Sequence, residues 1–282
     1  MSVNLITKYA GQFEKKMRMQ SLVFGKGLNK TKFTGANTVK TLTPVTQTPN
    51  DYNKEAEGSR FGQLAELEDE ENTYTLQYSK SNNIAIDKEN NTEQLQLKRS
   101  FEMMKEEIEL EYVPMMDKHA LACYAGTSGV STSEDGEIDG TKAFAMFTTA
   151  KKAMVNAKTF NGGKNCVAWV SSTVLNDAVL DCGKFLNLEK IGTKALVEGA
   201  CGKLAGFSII EVPDDYMPEN VNAIFANLKV CMNPIKFKTL RILSEHPDVD
   251  GAVLQPHFRY GCFVEKTNVK GIHVSYVEAP SE

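Results

Sequence analysis

The sequence predicts an α+β protein: an N-terminal arm, an extended β-hairpin, a domain organised on one long helix, and an α/β lobe inserted into that domain. Three observations carry this. Residues 37–46 and 72–79 have the composition and period-two pattern of strands, with about 25 polar residues between them. Residues 92–126 carry an apolar stripe at helical spacing. Residues 141–234 alternate helix and strand patterns, and strand patterns return after Pro234 to close the chain. At 282 residues the chain exceeds one small core, which fits two lobes plus extended segments.

In chain order, residues 1–36 form a polar, basic arm whose only strong apolar cluster is Leu22, Val23 and Phe24. A short helix near residues 5–20 fits the arm, which needs something else to lean on. Residues 37–80 form the hairpin. Thr and Val dominate 37–46, Pro44 assigns that strand to an edge, and Tyr74, Leu76 and Tyr78 share one face of its partner. A two-stranded ribbon is marginal alone in water, so this one needs cover from a neighbouring copy. Residues 83–87 form a short strand.

The strongest helix signal follows. Thr92 caps it, and Leu97, Phe101, Met104 and Ile108 fall on one stripe that continues through Met115, Ala120, Leu121 and Cys123 to Gly126. The element covers about 30 residues, or about 45 Å, and Pro114 is expected to kink it near the middle. Residues 127–140 read as a loop. Phe144, Phe147, Ala150 and Met154 mark a helix, Cys166 to Val170 a buried strand, and Ser171 or Ser172 caps a helix bearing Val174, Leu175, Val179 and Leu180. Residues 183–205, rich in Gly and Lys, read as an irregular, mobile segment. Strands follow at 207–212, 223–228, 236–243, 253–266 and 272–277, the last three completing a sheet against the long helix. The implied domains are 81–135 with 235–282 around the helix, and 136–234 as the inserted lobe.

Hydrophobic content of 41% and charged content of 24% are ordinary, and the net charge is −4. The charge is unevenly placed. Lys8, Lys15, Lys16, Arg18, Lys26, Lys30 and Lys32 in the arm face only Glu14, whereas 51–75 holds Asp51, Glu55, Glu57, Glu66, Glu68, Asp69, Glu70 and Glu71 against Lys54 and Arg60. A basic arm and an acidic hairpin in one chain can attract each other between copies, although both also read as solvated segments. The candidate inter-subunit contact residues are Lys8, Lys15, Lys16 and Arg18 in the arm, with Asp51, Lys54, Glu55, Arg60, Glu68, Asp69, Glu70 and Glu71 in the hairpin.

Reactive constellations are not found. Cys123, Cys166, Cys182, Cys201, Cys231 and Cys262 form no C-x-x-C pair and mostly sit in apolar runs, as buried free thiols do. His119, His246, His257 and His273 are scattered, with no zinc or nucleophile spacing. The run Glu68–Glu71 lacks the alternating ligands and Gly turn of a calcium loop. Gly199-Ala200-Cys201-Gly202-Lys203 lacks the spacing and hydroxyl of a phosphate loop, and no G-x-S-x-G elbow occurs. The expectation is no catalytic residue, no metal and no cofactor. No apolar run reaches membrane-span length, and Met1–Ala10 lacks a signal-peptide core, which places the protein in a cytoplasm.

The order of elements resembles the Hong Kong 97-type fold of tailed-phage major capsid proteins, across essentially the whole chain. The strings that carry the resemblance are Val39-Lys40-Thr41-Leu42, Asn50-Asp51-Tyr52-Asn53 and Arg60-Phe61-Gly62 in the hairpin, then Ile84-Ala85-Ile86-Asp87-Lys88 before the helix. Val113-Pro114-Met115-Met116-Asp117 lies within the helix, Gly206-Phe207-Ser208-Ile209-Ile210-Glu211-Val212-Pro213 in the lobe, and Arg259-Tyr260-Gly261 with Phe263-Val264 near the end. Their order carries the weight, because these are packing residues.

The resemblance implies a non-enzymatic subunit that self-assembles as pentamers and hexamers into an icosahedral shell around phage double-stranded DNA. It would form the virion capsid and assemble in the bacterial host cytoplasm. The implied partners are other copies, a separate scaffolding protein, a portal, and DNA held without sequence specificity, with no membrane. The hairpin would cross an adjacent subunit, the arm reach a neighbour's helix or hairpin, and the lobe pack around the five-fold and six-fold centres. Lys54 stands where some relatives form an isopeptide bond, but reads better as an ordinary surface lysine. The arm bases fit a protein contact better than a DNA contact. The rival readings are an encapsulin-like nanocompartment enclosing cargo, an α/β hydrolase-like enzyme on 141–234, and a tail or adhesin protein.

Overall fold

A computed structural model describes residues 21–24, 38–55, 59–62, 64, 66–88, 100–134, 138–179, 200–244 and 246–277. The hairpin is a two-stranded antiparallel ribbon of β1 (Thr38–Pro44) and β2 (Asp69–Thr75), in register from Thr38 opposite Thr75 to Pro44 opposite Asp69. The expected single strand 72–79 is two. The chain leaves the ribbon after Thr75, and β3 (Tyr78–Ser81) joins a different sheet. Asp69, Glu70 and Glu71 are therefore strand residues. Their partners Pro44, Thr43 and Leu42 extend the pairing that far.

After β4 (Ile84–Asp87) the long helix is described from Ser100; Thr92 and Leu97 lie outside the described residues. Three pieces follow without a break: α1 (Ser100–Glu107), a π-helical turn (Ile108–Tyr112) and α2 (Val113–Gly126). The expected disturbance at Pro114 takes the form of that wide turn. Val113 N–H reaches back five residues to Ile108 O, which puts the proline in the first turn of α2, where a missing N–H costs least. Phe101 departs from its predicted stripe: it is 71% exposed, whereas Met104 packs on Ile86 and Leu254.

Residues 127–140, expected as a loop, contain β5 (Val130–Glu134), which pairs parallel to the last strand of the chain. Helix α3 (Gly140–Asn156) is capped by Asp139, whose carboxylate accepts from Lys142 N–H at 2.7 Å. Strand β6 (Cys166–Ser171) ends at Ser171, whose hydroxyl caps a short helical segment over 172–179. Leu180 and residues 181–199 lie outside the described residues, and the remainder of that expected irregular segment is strand β7 (Ala200–Leu204). Strands β8 (Phe207–Val212), β9 (Val221–Asn227), β10 (Cys231–Met232), β11 (Ile235–Leu243), β12 (Gly251–Tyr260), β13 (Phe263–Val264) and β14 (Ile272–Val277) complete the chain.

Two larger sheets result. One carries β11-β12-β3, with β4 also on β12; the other is six-stranded in the order β5-β14-β9-β6-β8-β7. Strand β14 was expected beside β11 and β12 but pairs with β9 instead. The central strands β6 and β9 are buried on both faces, which explains why β6 reads as a continuous apolar run. Val167, Trp169, Ile210, Val212, Ile224 and Ala226 face α2, packing with Tyr112, Leu121 and Tyr124. Their neighbours in sequence, Ala168, Val170, Ile209, Ala223 and Phe225, face Met146, Phe147 and Met154 of α3. The long helix thus lies on the lobe's sheet as well as on β12.

Candidate assembly surfaces

The ribbon is fastened to the body at one end. From Asn72 onward the even-numbered positions turn inward: Asn72 and Tyr74 are buried, as is Leu76 just beyond β2, and Tyr74 and Leu76 pack with Met232 and Phe263. Tyr74 Oη accepts from Lys266 N–H at 3.1 Å, and the Thr43 and Thr267 hydroxyls lie 3.3 Å apart. One face of the ribbon therefore rests on its own subunit, whereas the sequence reading supplied cover from a neighbour alone.

Beyond Pro44 and Asp69 the situation differs. Val45 N–H donates to Glu68 O at 2.7 Å and Asn53 N–H to Arg60 O at 3.2 Å, so the two arms of the loop stay together towards the tip. Tyr52 and Phe61 meet edge to face there, with centroids 5.2 Å apart. Nevertheless Phe61 is 81% exposed, Leu64 fully and Leu67 66%. An exposed apolar series of this kind is a candidate contact surface. Its signal was in the sequence, as apolar residues spaced among acids, but the charges drew the reading to themselves.

The predicted hairpin contact residues Asp51, Lys54, Glu55, Arg60, Glu68, Asp69, Glu70 and Glu71 are all exposed on this loop and ribbon. Glu55 N–H bonds to Asn53 Oδ1, closing the turn that displays Lys54. Glu71 forms an ion pair with Lys40 across the ribbon. The arm candidates Lys8, Lys15, Lys16 and Arg18 lie outside the described residues.

The arm's apolar cluster is described, and it docks on its own chain. Asp117 of α2, 1% exposed, accepts from Leu22 N–H and Ser21 Oγ–H, both at 2.8 Å, and more loosely from Phe24 N–H at 3.5 Å. Trp169 Nε1–H donates to Leu22 O at 3.1 Å, and Leu22 and Val23 are buried. Burial pushes the Asp117 carboxyl above the usual carboxylate range, while the donors from residues 21–24 pull it back. This gives the last residue of the Val113–Asp117 string a role that the sequence reading missed.

Other titratable groups are structural. His119 stacks on Tyr78, with its Nδ1 2.6 Å from Tyr260 Oη, and burial lowers its pKa. His273 lies fully buried in β14, its Nε2 3.1 Å from Thr132 Oγ1 of β5, and desolvation lowers its pKa to about 4. Burial raises the thiols of Cys123, Cys166, Cys231 and Cys262, which suits inert core residues. Among the described residues no group of three or more His, Cys, Asp or Glu is placed to hold a metal ion. No described helix is long and apolar enough to cross a membrane.

This architecture matches solved structures along nearly its whole length. The capsid structure of cyanophage P-SCSP1u aligns with a TM-score of 0.73 over 98% of this chain and 93% of that one, at 12% identity. The mature capsid asymmetric unit of bacteriophage PhiM1 gives 0.71 over the same shares, at 10% identity. The chain has a phage capsid fold. A structure from Mycobacterium phage Che8 agrees, with a TM-score of 0.72 over 98% of both chains at 17% identity. No family model matches the sequence, nor does any curated protein. The phage capsid fold is thus kept here by arrangement and packing more than by residue identity.

Proposed function

We propose that this chain is a phage major capsid protein, which assembles from many copies into the icosahedral shell of the virion and encloses double-stranded DNA. The observation that carries the reading is the ribbon. On a body with a phage capsid fold, it displays Phe61, Leu64 and Leu67 largely exposed. Burying such side chains contributes about 1.5–3 kcal/mol each, before the cost of ordering the loop is subtracted. A single contact of that size is modest. Closed symmetry repeats it around each capsomer, and multivalency turns modest contacts into a stable shell.

In this reading the ribbon and loop at 37–80 cross an adjacent subunit. The domain at 81–135 and 235–282 forms the framework, and the lobe at 136–234 packs towards the five-fold and six-fold centres. The arm at 1–36 reaches the long helix or hairpin of a neighbouring copy. The subunit works by association and carries out no catalysis. A separate scaffolding protein and a portal complete the particle in the host cytoplasm, and the DNA is held without sequence specificity. The phage capsids named above favour this over a cargo compartment.

The test is a deletion of residues 47–67 with the strands rejoined by a short turn. The expected product is a folded, soluble subunit that forms no closed particles by electron microscopy. Normal shells from this variant would refute the role given to the ribbon.

A further inference from the structure

One end of the six-stranded sheet is strongly basic. The register brings four loops together there. Cys166 at the start of β6 faces Asn227 at the end of β9, Ile272 at the start of β14 faces Ala226, and Leu204 and Phe207 flank the turn between β7 and β8. Leu228 N–H bonds to Asn165 O at 2.9 Å, Asn227 Nδ2 to Thr159 O at 2.8 Å, and Thr159 Oγ1 to Lys270 O at 3.3 Å. Gly163, at φ +74°, lies so close to Gly206 that a Cβ would come 2.5 Å from the Gly206 carbonyl oxygen. The four loops form one continuous surface.

They carry Lys158, Lys164, Lys229, Lys266 and Lys270, with Lys203 at the adjoining end of β7, all exposed, and one acid, Glu265, which accepts from Asn268 Nδ2 at 2.8 Å. In a chain of net charge −4 this is a local excess of cations. Among the described residues none of the six lysines takes part in an ion pair. The same holds for Glu66, Glu68, Asp69 and Glu70 of the ribbon. The ribbon of the same subunit reaches the margin of this surface through Thr43 and Thr267, yet those acids stay unpaired.

We infer that the lysine-bearing end of the sheet receives the acidic, apolar segment 64–71 of a second copy. Charge complementarity selects the occupant, and composition narrows it further. The segment offers Leu64 and Leu67 between its acids, and the surface has Val155 exposed beside it at the end of α3, with Phe160 and Val269 half-buried. A phosphate backbone would use the lysines and leave the apolar residues unmatched. Each copy supplies one ribbon and one lysine surface, so the contact is heterologous and propagates around a ring. The inference rests on the capsid reading above and names the surface that the ribbon meets.

The experiment is a charge-reversal series in the full chain, read by sedimentation and electron microscopy, with circular dichroism to confirm folding. K158E/K164E/K229E is expected to stay folded and to lose closed particles, as is E66K/E68K/E70K. Combining both sets in one chain is expected to restore assembly, because the contact is repaired with its signs exchanged. A milder K158Q/K164Q/K229Q variant is expected to assemble only at reduced salt, so the test survives if a full reversal unfolds the chain. Normal shells from the lysine reversal overturn the inference, and so does failure of the combined variant to restore them. Normal shells with impaired DNA retention would place the surface against DNA and overturn it too. If the 47–67 deletion still forms shells, the capsid role of the ribbon fails; if only the charge series is silent, this inference alone fails.

Discussion

Replacing Asp117 with Ala tests how the arm is tethered. The carboxylate takes two short bonds from the segment at 21–24, and hydrogen bonds to a charged group contribute about 1.5–3 kcal/mol each. The buried carboxylate also carries a desolvation penalty, which the substitution removes, so a net weakening of docking of about 2–4 kcal/mol is expected. That corresponds to roughly a 30- to 700-fold rise in the undocked population, at tenfold per 1.4 kcal/mol. Amide hydrogen exchange at Leu22 reads it directly, since its N–H is protected only while docked.

The pH dependence has a defined sign. Burial is the larger influence on Asp117 and raises its carboxyl above the usual range in the docked state, against the donors of 21–24 that pull it back, so the docked pKa lies above that of the group in solvent. The contribution of this group is therefore complete below its solvent pKa and is lost as pH rises through the raised docked value. Tyr216 and Cys262 are the other titratable groups that act on Asp117, and both stay neutral in that range. If the Leu22 amide kept wild-type protection in Asp117→Ala, the anchor would be misassigned.

Other outcomes follow from the same packing. Trp169→Phe removes the indole N–H to Leu22 O and is expected to weaken docking by about 0.5–1.5 kcal/mol by the same exchange measurement, with the core otherwise kept. His273 has its folded pKa depressed from 6.5 to about 4, so its contribution is present above pH 6.5 and lost as pH falls towards 4. That amounts to about 3 kcal/mol, at 1.36 kcal/mol per pKa unit, and denaturant titrations at pH 7 and 4 should show a loss that shrinks in His273→Gln. Phe263→Ala should free the ribbon base by removing the ring that packs on Tyr74 and Leu76, costing about 3–5 kcal/mol and exposing residues 38–44 to proteolysis.

Much of the architecture was legible because its signals are local. The buried runs at 166–170 and 207–212, the cap before 172 and the stripe at 144–154 depend on burial and short-range spacing, and each lies where the pattern put it. Strand partners were not local. Val130–Glu134 looks like a loop, rich in Ser and Thr, because it is an edge strand whose identity comes from β14, about 140 residues away. The same distance hid the placement of β14 against β9 and the split at Thr75, where continued alternation masks a change of sheet.

The candidate surfaces divided in the same way. The charged hairpin residues were visible as a run, but the inward face of the ribbon and the Asp117 anchor required knowing which residues meet. Phe101 shows the converse error. Its spacing fits the stripe, yet the contact with Ile86 and Leu254 is made by Met104 one turn later. The lysine surface was the least legible, since its members are scattered over more than a hundred residues and only the sheet register assembles them.

The central claim is that residues 45–68 find their cover on another copy. An electron cryomicroscopy map of particles assembled from the full-length chain tests it most directly. The account predicts closed icosahedral particles in which Phe61, Leu64 and Leu67 are buried against a neighbouring subunit. Particles in which that loop stays in solvent or folds back onto its own body, or a protein that remains monomeric under all assembly conditions, would contradict it.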